Sequence, residues 1–314
     1  MSLPVKQLLK LGEKQLKDAG VADAEIDAKD LFCHMMGMTR TGLIMMWQDV
    51  MQDNQCEAYF NLVEERCIRK PMQHITGTQE FMGLTFKVNE KVLIPRQDTE
   101  TMVEDFIELF QKSMIRGESY GKQGERGSEV LDLCCGSGAI GISIAKNCPG
   151  AKVTMSDVSK EAVDIAKENC KSNQCKSVKV IDSDMFQNLK GRFSNKRFDY
   201  IISNPPYIER DVIRTLEPEV RDYEPQIALD GGEDGLRFYR IIGEEAPKHL
   251  NKRGILMLEI GYNQKEDVTD ILKQTDQFEN IQCYKDLAGK DRIVVATLVE
   301  QSKKKEKKVE EEKQ

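Results

Sequence analysis

No apolar run in this 314-residue chain approaches the roughly 20 residues of a membrane span, and 32% of its residues are charged. The first residues offer neither an apolar signal segment nor an Arg- and Ser-rich leader; Leu8, Leu9 and Leu16 stand there at helical spacing instead. A cytoplasm, away from any membrane, is therefore the expected place of action. Paired Cys-x-x-Cys spacings are missing as well. The cysteines, Cys33, Cys56, Cys67, Cys134, Cys135, Cys148, Cys170, Cys175 and Cys283, are odd in number and scattered, which predicts reduced, mostly buried thiols and no disulfide framework. His34, His74 and His249 are the whole histidine complement and lie far apart in the sequence, so no metal site is expected. Proline is scarce at 9 residues and hydrophobic residues make up 39%, the composition of an ordinary soluble globular protein. A basic surplus is absent too. The net charge is -7, and the tail from Gln301 holds six Lys against four Glu, which leaves the rest near -9. Proteins that grip phosphate backbones usually present a basic face, so this balance disfavours a nucleic-acid substrate.

What is present divides the chain. Its length exceeds one typical domain. From Leu3 to Arg69 the apolar residues recur at helical spacing, as in Ala28, Leu31, Phe32 and Met35, and residues 1–72 are expected to form a small helical bundle. Six methionines between Leu3 and Arg69, Met35, Met36, Met38, Met45, Met46 and Met51, read either as gap-filling core or as an adaptable protein-binding surface. Over 73–95 the period changes, and Phe81, Gly83, Leu84, Phe86 and Val88 predict a hairpin linking two domains. After a helix at about Glu100 to Met114 and a surface loop from Arg116 to Ser128, apolar strands alternate with amphipathic helices up to about residue 300. Strands are placed at Glu129 to Cys134, Lys152 to Ser156, Val178 to Ile181, Phe198 to Ser203 and Gly254 to Ile260. That alternation predicts an α/β unit, 96–300, with a mostly parallel sheet covered by helices. Ile281 to Tyr284 and Arg292 to Leu298 are joined by only a short loop, which predicts a C-terminal antiparallel hairpin. The tail, 301–314, is a charge block expected to be solvated.

Two segments carry chemistry. Val130 to Cys134 reads as a buried strand running into Cys135, Gly136, Ser137 and Gly138, with a helix from Ala139. Glycines at such a turn let the backbone approach a ligand. The spacing Gly136-x-Gly138-x-x-Gly141, with Asp157 ending the second strand as a ribose-binding acid, fits a nicotinamide enzyme as well as an S-adenosylmethionine enzyme. Asp132, beside the loop, favours the second, because an anion there repels a pyrophosphate and attracts an ammonium and a sulfonium.

The strand Phe198 to Ser203 ends in Asn204-Pro205-Pro206-Tyr207, and strand carboxyl ends line the ligand crevice of a doubly wound sheet. An amide or aromatic amino nitrogen is a poor nucleophile whose lone pair is delocalised, and methylation places positive charge on it. A site for it needs acceptors that hold both N–H groups as that charge develops. The Asn204 side-chain oxygen and the Pro205 carbonyl can supply them, Pro206 stiffens the backbone without adding a donor, and Tyr207 can stack on the flat acceptor. The bland alternative is a rigid turn after a strand.

Together these residues resemble the release-factor glutamine methyltransferases, the HemK/PrmC family, over nearly the whole chain. The resemblance also rests on Gln73 to Gly77 with Glu80, Phe81, Gly83 and Leu84; on Val92 to Glu100; on Glu224, Pro225, Ala228 and Leu229; and on Gly232, Asp234, Gly235, Leu236 and Tyr239. It implies a class I (Rossmann-like) methyltransferase domain that receives the Gly-Gly-Gln loop of a peptide chain release factor, and a helical domain that helps dock that factor. It assigns cofactor binding to Cys134 through Gly138 and Asp157, and matches Ser183, Asp184 and Met185 to an adenine-contacting stretch. Asp132 and Asn204 complete the expected cofactor set. Cys134 departs from a frequent glycine, and Gln97 from a usual proline. Arg96, Asp98, Thr99 and Glu100 are expected either to order the substrate mouth or to cap the next helix. The expected reaction is methyl transfer from S-adenosylmethionine to the glutamine amide nitrogen, by a monomer. The rivals are an adenine N6 DNA methyltransferase, an inactive binding protein of the same fold, and a nicotinamide oxidoreductase.

Overall fold

The computed structural model describes residues 2–115, 127–189 and 196–300. The charged tail 301–314 and residues 116–126 of the expected surface loop lie outside the described residues. The chain divides into two compact units: 1–78 together with 216–224, and 79–215 together with the chain from 225 onward. The division thus falls inside the stretch read as a linker hairpin, and the first unit takes a segment from deep within the expected α/β domain.

The first unit opens on a two-residue strand β1 (Leu3–Pro4) and helices α1 (Val5–Asp18), α2 (Ala24–Met36) and α3 (Arg40–Met45). It continues with β2 (Val50–Met51), α4 (Asp53–Cys67) and α5 (Met72–Thr76). In α1 the buried positions Val5, Leu8, Leu9, Gly12 and Leu16 form one stripe at helical spacing. A β-carbon at Gly12 would sit 2.2 Å from the Tyr59 hydroxyl, so glycine is what lets α1 and α4 meet. Of the six methionines, Met51 is buried and Met35, Met36, Met38 and Met46 pack partly on the core, whereas Met45 is 84% exposed. The pairing of β1 with β2 was not anticipated; two residues are too few to show a period. Segment 216–224 is tied in by Glu219, which takes Arg66 at 3.0 Å and Arg69 at 2.6 Å.

The second unit begins with the hairpin β3 (Thr78–Phe81) and β4 (Leu84–Lys87). Its two-residue turn, Met82 and Gly83, has positive φ at both positions, 50° and 70°, as a tight hairpin turn requires. Helix α6 (Gln97–Ile115) precedes β5 (Glu129–Leu133), α7 (Ala139–Asn147), β6 (Lys152–Asp157), α8 (Lys160–Ser172), β7 (Lys179–Asp182) and β8 (Phe198–Ser203). After the short helices α9 (Arg210–Ile213) and α10 (Pro218–Arg221, in the first unit's segment) come α11 (Arg237–His249), β9 (Leu250–Glu259), α12 (Lys265–Gln274), β10 (Phe278–Lys285) and β11 (Asp291–Leu298).

The seven-stranded sheet has the order β10-β11-β9-β8-β5-β6-β7. Every neighbouring pair from β9 to β7 is parallel, and β11 runs antiparallel to both β9 and β10, giving the expected C-terminal hairpin. Two apolar clusters, one on each face, enclose the sheet; Met155 and Tyr200 belong to one, Leu131 and Ile201 to the other. The fold is a Rossmann-like α/β sandwich. From β5 the chain winds outward through β6 to β7, then returns to lay β8 on the opposite side of β5. That reversal opens a crevice at the carboxyl ends of β5 and β8.

Candidate active site

A cavity lies at this reversal, where doubly wound sheets bind their ligands. Leu133, Cys134 and Gly136 reach it from the end of β5, Asp157, Val158 and Ser159 from the end of β6, and Asn204 and Pro206 from the end of β8. Ser183, Asp184 and Met185 line it beyond β7. Loop residues Lys91 to Leu93, Pro225, Ile227 and Ala228, together with Phe238 of α11, complete the walls; none of these was singled out from the sequence as touching a ligand.

The glycines of the loop have separate reasons. Gly136 has φ 52°, and a β-carbon there would meet no atom within 4 Å, so bare backbone faces open space. Gly138, at φ 83°, begins α7, and its added β-carbon would press on Met155 at 3.0 Å. At Gly141 the added atom would come within 2.5 Å of Met155 Sδ and 2.9 Å of Asp132 Oδ2, so this glycine seats α7 against the sheet. Cys134 takes φ 62° without being glycine, a conformation that costs an L-residue roughly 1–2 kcal/mol. That cost accounts for the glycine often found there. Its thiol lies 3.8 Å from Met185 Sδ, and burial pushes both the Cys134 and Cys135 thiols up, so they are packing groups and not thiolates.

Asp157 is held ready. Its Oδ2 accepts the Gly136 N–H at 2.8 Å and its Oδ1 the Ser159 N–H at 2.9 Å, which fixes the carboxylate against the cavity. Asp132 stands inside the end of β5, next to the loop, as the sequence indicated. It is fully buried behind the loop, does not line the cavity, and takes the Gly141 N–H on Oδ2 at 2.8 Å. Burial pushes its carboxyl up, against the Gly141 bond, which favours the charged form. Cys135, Ser137 and Gly138 likewise lie behind the wall. The Ser137 carbonyl accepts from Asn169 Nδ2 at 2.9 Å. The same carboxamide bonds Lys87 N–H at 2.7 Å and Lys87 C=O at 3.0 Å, tying loop, α8 and β4 together.

The tetrapeptide is anchored on every side. Asn204 lines the cavity with Gly136, while Pro205 is buried beside it. Tyr207 is half-buried and does not line the cavity; its hydroxyl points to Glu259 Oε1 at 3.5 Å. Gln264 Nε2 donates to the Tyr207 carbonyl at 2.9 Å. A β-carbon on Gly235 would lie 2.4 Å from that carbonyl oxygen, and one on Gly231 2.8 Å from the Tyr207 main chain. Gly231 and Gly235 therefore admit this backbone.

The 96–100 segment does more than cap a helix. Asp98 pairs with Arg292 at 3.1 Å, Thr99 donates to Glu259 at 2.7 Å, and Glu100 accepts the Met82 N–H at 2.6 Å. Glu259, a buried acid that meets both Thr99 and Tyr207, was not singled out from the sequence. Its signal was an acid inside the apolar run Ile255 to Ile260, at the carboxyl end of a central strand. Among the described residues no group of three or more His, Cys, Asp and Glu is placed to hold a metal ion, and no helix is long and apolar enough to cross a membrane.

The chain matches the family described as the PrmC N-terminal domain over residues 7–77, and that described as the Methyltransferase small domain over 121–216. A release factor glutamine methyltransferase of Clostridium botulinum is 38% identical over 293 residues, 93% of this chain and 98% of that protein. One of Geobacter sulfurreducens is 36% identical over 290 residues, 92% of this chain and 95% of that protein. Among solved structures, the hMettl16 catalytic domain in complex with MAT2A 3'UTR hairpin 6 superposes with a TM-score of 0.50 at 14% identity. That superposition covers 80% of this chain and 84% of the other, and bears on the fold alone.

Proposed function

The chain belongs to the family of release factor glutamine methyltransferases, and we propose that its cavity at the ends of β5 and β8 is where the methyl donor and the acceptor glutamine meet. The chain is an S-adenosylmethionine-dependent protein-glutamine N5-methyltransferase. The residues present suit that cofactor. The bare backbone at Gly136, the fixed Asp157 carboxylate and the apolar faces of Leu133, Met185, Ile227 and Phe238 offer a close approach, a diol acceptor and walls for a flat base. When bound, S-adenosylmethionine supplies an electrophilic methyl group on a positively charged sulfur.

Asp157 would accept the ribose hydroxyls with the lone pairs that Gly136 and Ser159 leave over. Asp184 and Met185 would border the adenine. Cys134, Cys135, Ser137 and Gly138 shape the loop that carries Gly136, and Asp132 holds α7 in place beneath it. Asn204 Oδ1 and the Pro205 carbonyl would take the two N–H groups of the glutamine carboxamide and turn its nitrogen lone pair toward the methyl carbon. Held so, the nitrogen would face the methyl group that S-adenosylmethionine supplies, and the same two oxygens would stabilise the positive charge that develops on it until a proton passes to water. No base is needed beforehand; alignment and fixed acceptors supply the rate. Pro206 holds the tetrapeptide rigid, and Tyr207 fastens its far end to Glu259.

The single observation that carries this reading is the presence of Asn204 on the same cavity wall as Gly136 and Asp157. The helical residues 1–72 are proposed to help dock the release factor, acting as part of a monomer in a reducing cytoplasm that suits nine free cysteines. Incubation with methyl-labelled cofactor separates the readings. Label on a release factor, but neither on the same factor with its loop glutamine changed to alanine nor on duplex DNA, is the expected result; label on DNA alone would overturn it.

A further inference from the structure

Two buried side chains, Thr99 and Glu259, stand directly behind Asn204. Its Nδ2 lies 3.3 Å from Thr99 Oγ1, and that hydroxyl lies 2.7 Å from Glu259 Oε2. Thr99 is 4% exposed and Glu259 1%, so water does not compete for these bonds. Glu259 is itself pinned, with its carbonyl taken by the Tyr239 hydroxyl at 2.9 Å and its Oε1 facing Tyr207.

The polarity of this chain of bonds follows from what each group can give. A carboxylate only accepts, so the Thr99 hydroxyl must spend its one proton on Glu259. What remains at Thr99 Oγ1 is lone pairs, and only the NH2 edge of a carboxamide can face them. The two edges of an asparagine side chain have nearly the same shape, so packing alone does not choose between them. A carboxamide turned the wrong way would aim N–H groups at the N–H groups of its substrate, leaving donors unpaired in a buried site.

We propose that Glu259, acting through Thr99, is a positioning residue that sets which edge of the Asn204 carboxamide faces the cavity, holding Oδ1 there as the acceptor for the substrate nitrogen. This rests on the reading that Asn204 accepts from that nitrogen. Protonation of Glu259 reverses the relay: the acid becomes the donor to Thr99, whose own proton is freed for Asn204 Oδ1, and the carboxamide turns round. The charged and titratable groups that face Glu259 are Arg292 of β11, Asp98 of α6, Tyr207 and Tyr239 of α11, and Arg292 also pairs with Asp286 at 3.2 Å. Burial, opposed by the Thr99 bond and Arg292, pushes the Glu259 carboxyl up to about 7, which puts the reversal inside the working range of pH.

The test compares Thr99→Val, Thr99→Ser, Glu259→Gln and Asn204→Ala in the full-length enzyme, reading kcat on a release factor, cofactor Kd and the thermal midpoint. Thr99→Val should lower kcat about 10- to 100-fold with cofactor Kd unchanged, and Thr99→Ser should restore it to within about threefold of wild type. Wild-type kcat should fall as the pH drops through about 7, and Glu259→Gln, which cannot titrate, should lack that limb. A Thr99→Val enzyme with wild-type kcat, a Thr99→Ser enzyme as slow as Thr99→Val, or a Glu259→Gln enzyme that keeps the limb overturns the proposal. If Thr99→Val does not fold, the pH profile of Glu259→Gln decides alone. Asn204→Ala with unchanged kcat would remove the underlying reading; a crippled Asn204→Ala beside a harmless Thr99→Val removes only the relay.

Discussion

Gly136, Asp157 and Asn204 each end a strand, and strand ends at the reversal of a doubly wound sheet converge on one cavity. Asp132 was legible as an acid beside the loop, but a strand covered on both faces does not reveal from sequence that its carboxyl turns back to the Gly141 N–H. Thr99 and Glu259 are 160 positions apart, so only the folded chain joins them. Burial raises Glu259 from the ordinary glutamate range to about 7. Between those values the folded protein keeps a proton that the unfolded chain has released, so this residue's contribution to stability falls as pH rises across that window. Urea unfolding of wild type and Glu259→Gln from pH 5 to pH 8 should show the glutamine variant gaining relative stability, by about 2–3 kcal/mol at most. A gap between the two proteins that does not change with pH would contradict this.

At the scale of elements, the sequence located the strands to within a few residues because apolar runs bounded by polar turns are long there, as in Phe198–Ser203. What it did not show is why α7 lies so close to β6. Gly141→Ala should overpack that contact and cost about 1–3 kcal/mol in denaturant midpoint, with a smaller loss in a Met155→Ala background where the obstructing side chain is gone. Equal losses in both backgrounds would place the strain elsewhere. Asn169 joins three elements through one carboxamide, which no helical pattern announces because the residue reads as a surface polar. Asn169→Ala leaves a buried N–H and two carbonyls without that partner and should cost about 1–3 kcal/mol. Cofactor affinity should weaken with it, since the Ser137 carbonyl is released; calorimetry showing full affinity would separate loop shape from binding.

For the whole molecule, the family was legible because its motifs are spread along the chain and meet in the fold. Glu100 reaches the hairpin turn at Met82, Gly235 admits the Tyr207 carbonyl, and the tetrapeptide faces the glycine loop. The grouping of 216–224 with the helical unit was not legible, because it rests on Glu219 meeting Arg66 and Arg69 from far along the sequence. The acidic balance is consistent with a protein substrate, and at whole-molecule scale the account reduces to fixed oxygens turning an inert amide toward an activated methyl. The most direct measurement is methyl transfer to an intact release factor by wild type and Asn204→Ala, with cofactor affinity measured on both. The account predicts a loss of on the order of 100-fold or more in turnover with cofactor Kd nearly unchanged. Matching losses in turnover and in cofactor affinity, or no loss of turnover, would contradict it.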